Sequence, residues 1–375
     1  MYWNKQGKIN EKLKELCLIA SILILPTSAL SCTGLSLKTI NGDITVGRTM
    51  EWSHNASLQH KIGIYPRGKK YEALKPENSD GMMKWTGKYG YVGMTTYGLD
   101  MGPDGLNEKG LSAAFFYLPG YASYGKFDKQ TAHKSLTMGD FMKWILSTFS
   151  TVKEVKENIN KVKIVSVIDK RFGDVDHPLH LKVTDPSGES IIIEVVENGK
   201  VNIYNAILGV VTNSPTYDWH LTNLKNYLHL SPKAHNAIKT KDVVFSPLGA
   251  GSGMIGLPGD FTPPSRFIRA AAMVSTARPL KTTNDAVFEL FRMLDNFNIP
   301  LGVVLPQEQI PTDIESATQI TSVSDLTNIT YYYHTMYNRQ VRKIDLKKIN
   351  FDTIKEQVID DDTGKEHRVK ELLTK

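Results

Sequence analysis

From residue 32 onward, apolar and polar residues alternate over Leu35 to Thr39 and again over Ile44 to Thr49, with Asn41-Gly42 between the two runs. Period-two alternation on either side of an Asn-Gly pair predicts a β-hairpin. Cys32 would then start an edge strand. Further strands are predicted over Lys61 to Pro66 and Tyr91 to Thr96, followed by a turn at Leu106-Asn107-Glu108-Lys109-Gly110. Leu111 to Leu118 is almost unbroken in its apolarity, as in a strand buried on both faces. Met138 to Thr148 carries apolar residues at helical spacing, and Thr151-Val152-Lys153-Glu154 reads as a capping box that opens a second helix toward Val162.

Strands return at Leu179 to Thr184, Ser190 to Val196 and Lys200 to Tyr204, with turns at Pro186-Ser187-Gly188 and Asn198-Gly199. Val210 to Pro215 reads as a strand end before a helix. Helices are predicted over Tyr217 to Leu228, Arg266 to Ala277 and Asn284 to Asn296. Short strands near Gln319 to Val323, Asn328 to Met336 and Val341 to Leu346 close the pattern, and Asp360 to Lys375 is a charge-rich tail, partly helical or loose. Blocks of strands alternating with blocks of helices predict an α+β protein of layered sheets with helices outside. No repeat or linker divides the chain, so residues 32–375 are expected to form one domain.

The first 31 residues follow a different pattern. Lys5, Lys8, Lys12 and Lys14, diluted by Glu11 and Glu15, precede a short apolar run from Leu16 to Leu25. Ala29 and Ser31 then place small residues three and one positions before Cys32. Basic, apolar, small is the order of a secretory signal peptide. The apolar run is too short to span a bilayer, which takes about 20 residues. The expectation is therefore export, to the periplasm or outside the cell, with cleavage between Ser31 and Cys32. Two alternatives stay open: a disordered tail, or a lipoprotein signal in which Cys32 is acylated as the anchor of a binding protein.

Composition narrows the chemistry. The chain has 375 residues, 41% of them apolar and 22% charged, which is ordinary for a globular protein. Its net charge is +6, of which the leader supplies +2 as four lysines against two glutamates. No polybasic block marks a nucleic-acid surface. Of two cysteines, Cys17 lies in the leader, so a mature chain would keep Cys32 alone. No Cys/His spacing resembles a zinc site, and neither a P-loop nor a dinucleotide fingerprint occurs. No metal or cofactor is expected.

An N-terminal cysteine carries a nucleophile and a base on one residue. The thiol has an ordinary pKa near 8.5 and the α-amine near 8, so proton transfer between them costs little. A thiolate that attacks an amide gives a thioester, which water then opens. The chemistry asks for a cation near the thiol, an acid to hold the amine, and donors for the oxyanion. Arg48 and Glu51 end the second hairpin strand and are candidates for the first two; on spacing alone they could be a surface ion pair. Asn213 could be an oxyanion donor, or a helix-cap or turn asparagine. Arg266 could be a second cation of the site or half of a helix-end salt bridge.

Cys32-Thr33-Gly34, Gly47-Arg48, the run Asn213-Ser214-Pro215-Thr216-Tyr217-Asp218-Trp219-His220, Leu257-Pro258-Gly259-Asp260 and Pro264-Ser265-Arg266-Phe267 occur in this order. Together they resemble the choloylglycine hydrolase family, which includes bile salt hydrolases and penicillin V acylases, from Cys32 to about Asp345. The resemblance implies an N-terminal-nucleophile hydrolase fold, an αββα sandwich of two antiparallel sheets between helix layers. It also implies cleavage of linear amides by a homotetramer without metal. By the same resemblance Cys32 is the nucleophile, Arg48 and Arg266 are the two site arginines, and Asn213 is the oxyanion asparagine. Glu51 stands where the family usually has aspartate and would orient the Cys32 amine. Tyr117 stands where bile salt hydrolases often have asparagine and penicillin V acylases tyrosine, a position that supplies a backbone N–H to the oxyanion. A signal peptide is similar to exported Gram-negative members. The expected substrate is a conjugated bile salt, with phenoxymethylpenicillin as the alternative.

Overall fold

The structure is a computed structural model that describes residues 32–52, 61–77, 79, 81–95, 102–168, 177–300, 303, 317–359 and 366–372. The leader and most of the charged tail expected from the sequence lie outside the described residues. Residues 366–372 of that tail hold no regular element.

Two antiparallel sheets dominate. The strands are β1 (Cys32–Lys38), β2 (Ile44–Trp52), β3 (Lys61–Tyr65), β4 (Tyr91–Thr95), β5 (Asp104–Asn107), β6 (Ser112–Tyr117), β7 (Leu179–Thr184), β8 (Ser190–Val196), β9 (Lys200–Asn205), β10 (Ala317–Asp325), β11 (Thr330–Thr335), β12 (Arg342–Asp345) and β13 (Gln357–Ile359). The smaller sheet has the order β1-β2-β10-β11-β12 and the larger β9-β8-β7-β6-β5-β4-β3-β13. The helices are α1 (Met138–Thr148), α2 (Val152–Asn158), α3 (Tyr217–Leu224), α4 (Pro263–Thr276) and α5 (Thr283–Leu294).

Residue parity explains the layering. Side chains alternate across a strand. On β6, Ala114 and Phe116 face the small sheet, whereas Ala113 and Phe115 join Phe141, Ile145, Val152 and Val155 of α1 and α2. This is why the stretch reads as apolar without alternation. On the far side, Phe267 and Ala270 of α4 and Val287, Leu290 and Leu294 of α5 cover the small sheet. The result is helix, sheet, sheet, helix, as expected from the αββα resemblance. No described helix is long and apolar enough to cross a membrane.

Local chemistry sets the element ends. Thr137 and Asp140 form a reciprocal capping box at α1, and Thr282 and Asp285 do the same at α5. At α2 Thr151 accepts from the Glu154 N–H, and the Glu154 carboxylate reaches back to the Ser150 N–H and hydroxyl. The helix ends at Asn158 and a 3₁₀ turn, Ile159–Lys161, carries the chain on to Val162. Two expectations need correction. Leu106 and Asn107 belong to β5, and the turn falls at Glu108-Lys109-Gly110, with Gly110 at φ 85°. Residues 210–215 are not a strand end: Val211 makes an isolated bridge with Gly34 on the open edge of β1.

Buried polar side chains bridge the two sheets beside the apolar core. The buried Asp104 of β5 accepts from the Tyr331 hydroxyl at 2.8 Å and from the Ser322 hydroxyl, both on the opposite sheet. Lys182 of β7 crosses the other way, donating to Ser36 Oγ and to the Gly209 carbonyl at 2.6 Å each. Burial pulls the Lys182 ammonium down to about 7. Arg48, Asp104, Lys182, Ser322 and Ser324 line a cavity of about 20 Å³, room for one water.

Close approach of the sheets depends on Gly34. A Cβ there would lie 2.6 Å from Phe116 Cζ and 2.7 Å from Val211 Cγ1. Gly34→Ala is therefore expected to cost about 1–3 kcal/mol through overpacking. Urea unfolding checks this: the midpoint falls while the slope stays constant.

Candidate active site

Cys32 is the first residue of β1, and the hairpin register sets Gly34 opposite Arg48 and Cys32 opposite Met50. Arg48 shares strand parity with Met50 and points toward the large sheet. Its guanidinium donates to Cys32 Sγ at 2.9 Å, to the carbonyls of Pro103 and Phe115 at 2.7 Å, and to the Thr49 carbonyl at 3.1 Å. Phe116 lies beneath it, with the ring centroid 4.9 Å away. Both Cys32 and Arg48 are buried. Burial pushes the Cys32 thiol up, Arg48 and Arg266 pull it down, and the Glu51 carboxylate opposes them.

Glu51 has the opposite parity and points toward the helix layer. A surface ion pair between Arg48 and Glu51 is thereby overturned, since both are buried and lie on opposite faces of β2. Glu51 accepts instead from two hydroxyls, Thr318 at 2.5 Å and Thr49 at 3.2 Å. Burial raises the carboxyl to about 7, against these hydroxyls and the cations Arg266 and Arg48. Among the described residues, the hydrogen-bond partner of the Cys32 backbone nitrogen is Asn213 rather than Glu51.

The bridge between Gly34 and Val211 brings Asn213 to Cys32, because two steps along antiparallel partners put residue 213 opposite residue 32. Asn213 Oδ1 accepts from Cys32 N at 2.8 Å and from Arg266 at 2.7 Å, and its Nδ2 donates to the Tyr117 carbonyl at 2.8 Å. Two donors on one side and a carbonyl on the other fix the amide's orientation. One of its two N–H hydrogens is used on Tyr117; the other is the one that can meet an oxyanion. Asn213 is not a helix cap, since the N-cap of α3 is Thr216.

Arg266 sits in the first turn of α4 and is fully buried. It donates to the Cys32 carbonyl at 2.6 Å, Thr33 Oγ1 at 2.8 Å, Asn213 Oδ1 and the Phe261 carbonyl at 2.8 Å. No carboxylate is among these partners, so it is not a helix-end salt bridge. Burial draws its guanidinium down to about 10, still protonated at neutral pH. Tyr117, half-buried at the end of β6, completes the ring through its carbonyl.

Sequence reasoning missed four supporting residues. His220 donates Nε2–H to the Asn213 carbonyl at 2.8 Å and stacks on Phe267. Burial lowers it to about 4, so it stays neutral. Arg269, one turn after Arg266, holds the Pro258 and Asp260 carbonyls of the loop before α4. Thr49 and Thr318 grip Glu51. The period of α4 could have flagged Arg269; nothing local to Thr318 points to a residue 267 positions away. Among the described residues, no group of three or more His, Cys, Asp or Glu could hold a metal ion.

The two-sheet sandwich with a cysteine at the head of its edge strand is the N-terminal-nucleophile hydrolase fold, and the protein is a linear amide C–N hydrolase. The chain belongs to the choloylglycine hydrolase family of linear amide C–N hydrolases, whose pattern matches residues 32–360. It is 36% identical over 326 residues to a bile salt hydrolase/transferase of Clostridium perfringens, covering 86% of this chain and 94% of that one. It is 28% identical over 369 residues to a penicillin V acylase of Pectobacterium atrosepticum, covering 92% of this chain and 89% of that one. A mutant conjugated bile acid hydrolase from C. perfringens superposes with a TM-score of 0.77 at 33% identity, over 91% of this chain and all of that one. A penicillin V acylase from Agrobacterium tumefaciens gives 0.69 at 25% identity, over 88% and 91%.

The contact between Arg48 and Sγ yields a test that needs no substrate. Arg48→Met removes the nearest cation, so the Cys32 thiol should titrate about one pH unit higher. Iodoacetamide labelling of the Cys32 peptide at pH 7.5, followed by mass spectrometry, should then slow about ten-fold. Unchanged labelling would show that Arg48 does not tune the thiol.

Proposed function

We propose that the chain is exported, loses residues 1–31, and hydrolyses conjugated bile salts from an N-terminal Cys32. One observation carries this reading: the nitrogen, sulfur and carbonyl of Cys32 are each held by a different partner, Asn213, Arg48 and Arg266. The residue that would become the N-terminus is already seated as a nucleophile and a base. Export accounts for a leader of signal-peptide pattern ahead of it. The bile salt hydrolases among its relatives support the substrate class.

The steps follow from these positions. The free amine of Cys32 takes the thiol proton and the sulfur attacks the amide carbonyl of the substrate. The oxyanion meets the second Asn213 Nδ2 hydrogen and the Tyr117 backbone N–H. The resulting ammonium protonates the leaving glycine or taurine nitrogen as the C–N bond breaks, leaving a thioester. The amine then deprotonates water, which opens the thioester and releases the bile acid. Arg48 favours the thiolate, Arg266 holds Asn213 and the Cys32 carbonyl, and Glu51 balances the ammonium. With a peptide bond to Ser31 intact, the nitrogen is no base, so the uncut chain is inactive.

Penicillin V is the second substrate reading, favoured by the tyrosine at position 117 and by the acylase relatives. Acylation of Cys32 as a lipid anchor fits less well, because its sulfur would have to leave a buried position against Arg48. A homotetramer is supported by an arm after α3, where Ile238, Val244, Phe245 and Leu248 are exposed around a small hairpin, Ile238–Lys239 with Val244–Phe245. Sedimentation of wild type and a Phe245→Ser, Leu248→Ser double variant tests it; equal mass would count against the arm.

Side-by-side kcat/KM on taurocholate, glycocholate and penicillin V decides the substrate. Cys32→Ala should abolish turnover while leaving the fold intact, and intact mass of the exported protein should begin at unmodified Cys32. Asn213→Ala should lower kcat by about 10²–10³-fold, the usual loss for one oxyanion donor, whereas Tyr117→Phe keeps its backbone N–H and most of kcat. Near-normal kcat for Asn213→Ala would defeat the oxyanion role.

A further inference from the structure

We infer that Thr318 is a positioning residue for the Cys32 amine: a β-bulge aims its hydroxyl at Glu51 and holds that carboxylate ionised and in place. The inference rests on the proposed reaction and adds to it a residue from the far end of the chain.

The geometry is over-determined. Strand β10 pairs with β2 in one register from Asp325 to Ile320, then shifts, so that Thr318 falls opposite Glu51 while Ile320 is opposite Met50. Gln319 is the extra residue. Without the bulge the residue opposite Glu51 would be Gln319, and the side chain at 318 would move one step along the strand. The Thr318 oxygen accepts the Ile299 N–H at 2.8 Å. It has one hydrogen to give, with Glu51 Oε1 at 2.5 Å and the Phe297 carbonyl at 3.3 Å as the candidates. The shorter contact takes it. Thr49 gives its hydrogen to the other oxygen of the same carboxylate. Both oxygens of Glu51 therefore accept, which favours the ionised form.

This matters because, among the described residues, no cation is hydrogen-bonded to Glu51. The charged and titratable groups that act on its carboxylate are Cys32 from β1, Arg266 from α4 and, from the opposite face of β2, Arg48, all through space. A glutamate side chain has three rotatable bonds, and two hydroxyls pin it. Removing the Thr318 donor leaves burial less opposed, so Glu51 holds its proton to higher pH. The amine then loses its counter-charge as pH falls, and the acid limb of activity moves upward.

The experiment compares wild type, Thr318→Val and Thr318→Ser in the processed enzyme, by kcat/KM on taurocholate, glycocholate and penicillin V from pH 4 to 9. The pH profile of Cys32 alkylation by iodoacetamide is measured alongside, since Glu51 repels the thiolate and the profile needs no turnover. Thr318→Val should move the acid limb up by about one pH unit, roughly ten-fold in rate on that limb, and the alkylation inflection down, because a protonated Glu51 no longer repels the thiolate. Thr318→Ser should restore both to near wild type. In a Glu51→Gln background, Thr318→Val should move neither. A lowered thermal midpoint with both profiles unmoved would overturn the inference. Should Thr318→Val fail to fold, Thr49→Val removes the other donor, and unmoved profiles there would also overturn it. An inactive wild type or an active Cys32→Ala variant sinks the proposed reaction instead, while the alkylation profile still decides the role of Thr318.

Discussion

The site is built around a buried guanidinium. Burying an arginine without a carboxylate partner is costly unless its N–H groups find acceptors. Arg266 finds them in two segments remote in sequence, Cys32 and Thr33 at the head of β1 and Asn213 in the loop before α3, and in Phe261 of the loop before its own helix. Satisfying this one charge brings Cys32, the Asn213 amide and α4 together. Arg48 repeats the solution from the opposite side of β1, with carbonyls from β6 and the residue before β5, and with the sulfur itself. The thiol thus lies between two cations whose other bonds are largely to backbone carbonyls.

Strand parity gives each charge its own environment. Arg48 and Glu51 are three residues apart, so one faces the inter-sheet space and the other the helix layer. A direct ion pair would cancel both. Separation leaves Arg48 free to act on sulfur and Glu51 free to accept a cation, at the cost of burying a carboxylate whose proton affinity rises to about 7. The hydroxyls of Thr49 and Thr318 offset part of that cost.

The same logic runs through the inter-sheet layer. Asp104, Tyr331, Ser322, Lys182 and Ser36 replace apolar contacts with hydrogen bonds that tie one sheet to the other. Such bonds are directional, so they resist sliding of the sheets in a way that apolar packing does not. Pro103, next to Asp104, presents one of the carbonyls that clamp Arg48. The polar layer therefore holds the floor of the site as well as the sandwich.

What was legible in the sequence is what short range controls. The hairpin at Asn41-Gly42, the apolar run of β6 and the helix over Met138–Thr148 follow from periodicity and turn chemistry, which act over a few residues. Cys32, Arg48, Asn213 and Arg266 stood out because their residue types suit thiol chemistry and their motifs resemble a known family. Tertiary structure alone decided how they meet. The bridge from Gly34 to Val211 converts a predicted strand end into the strut that delivers Asn213, and no local pattern encodes a partner 177 positions away. A bulge opposite Glu51 brings in Thr318, because register is a property of two strands and neither carries it by itself. Whether Glu51 was a surface charge or a buried one depended on which layer covered that face of β2, and α5, more than 200 residues later, provides the cover.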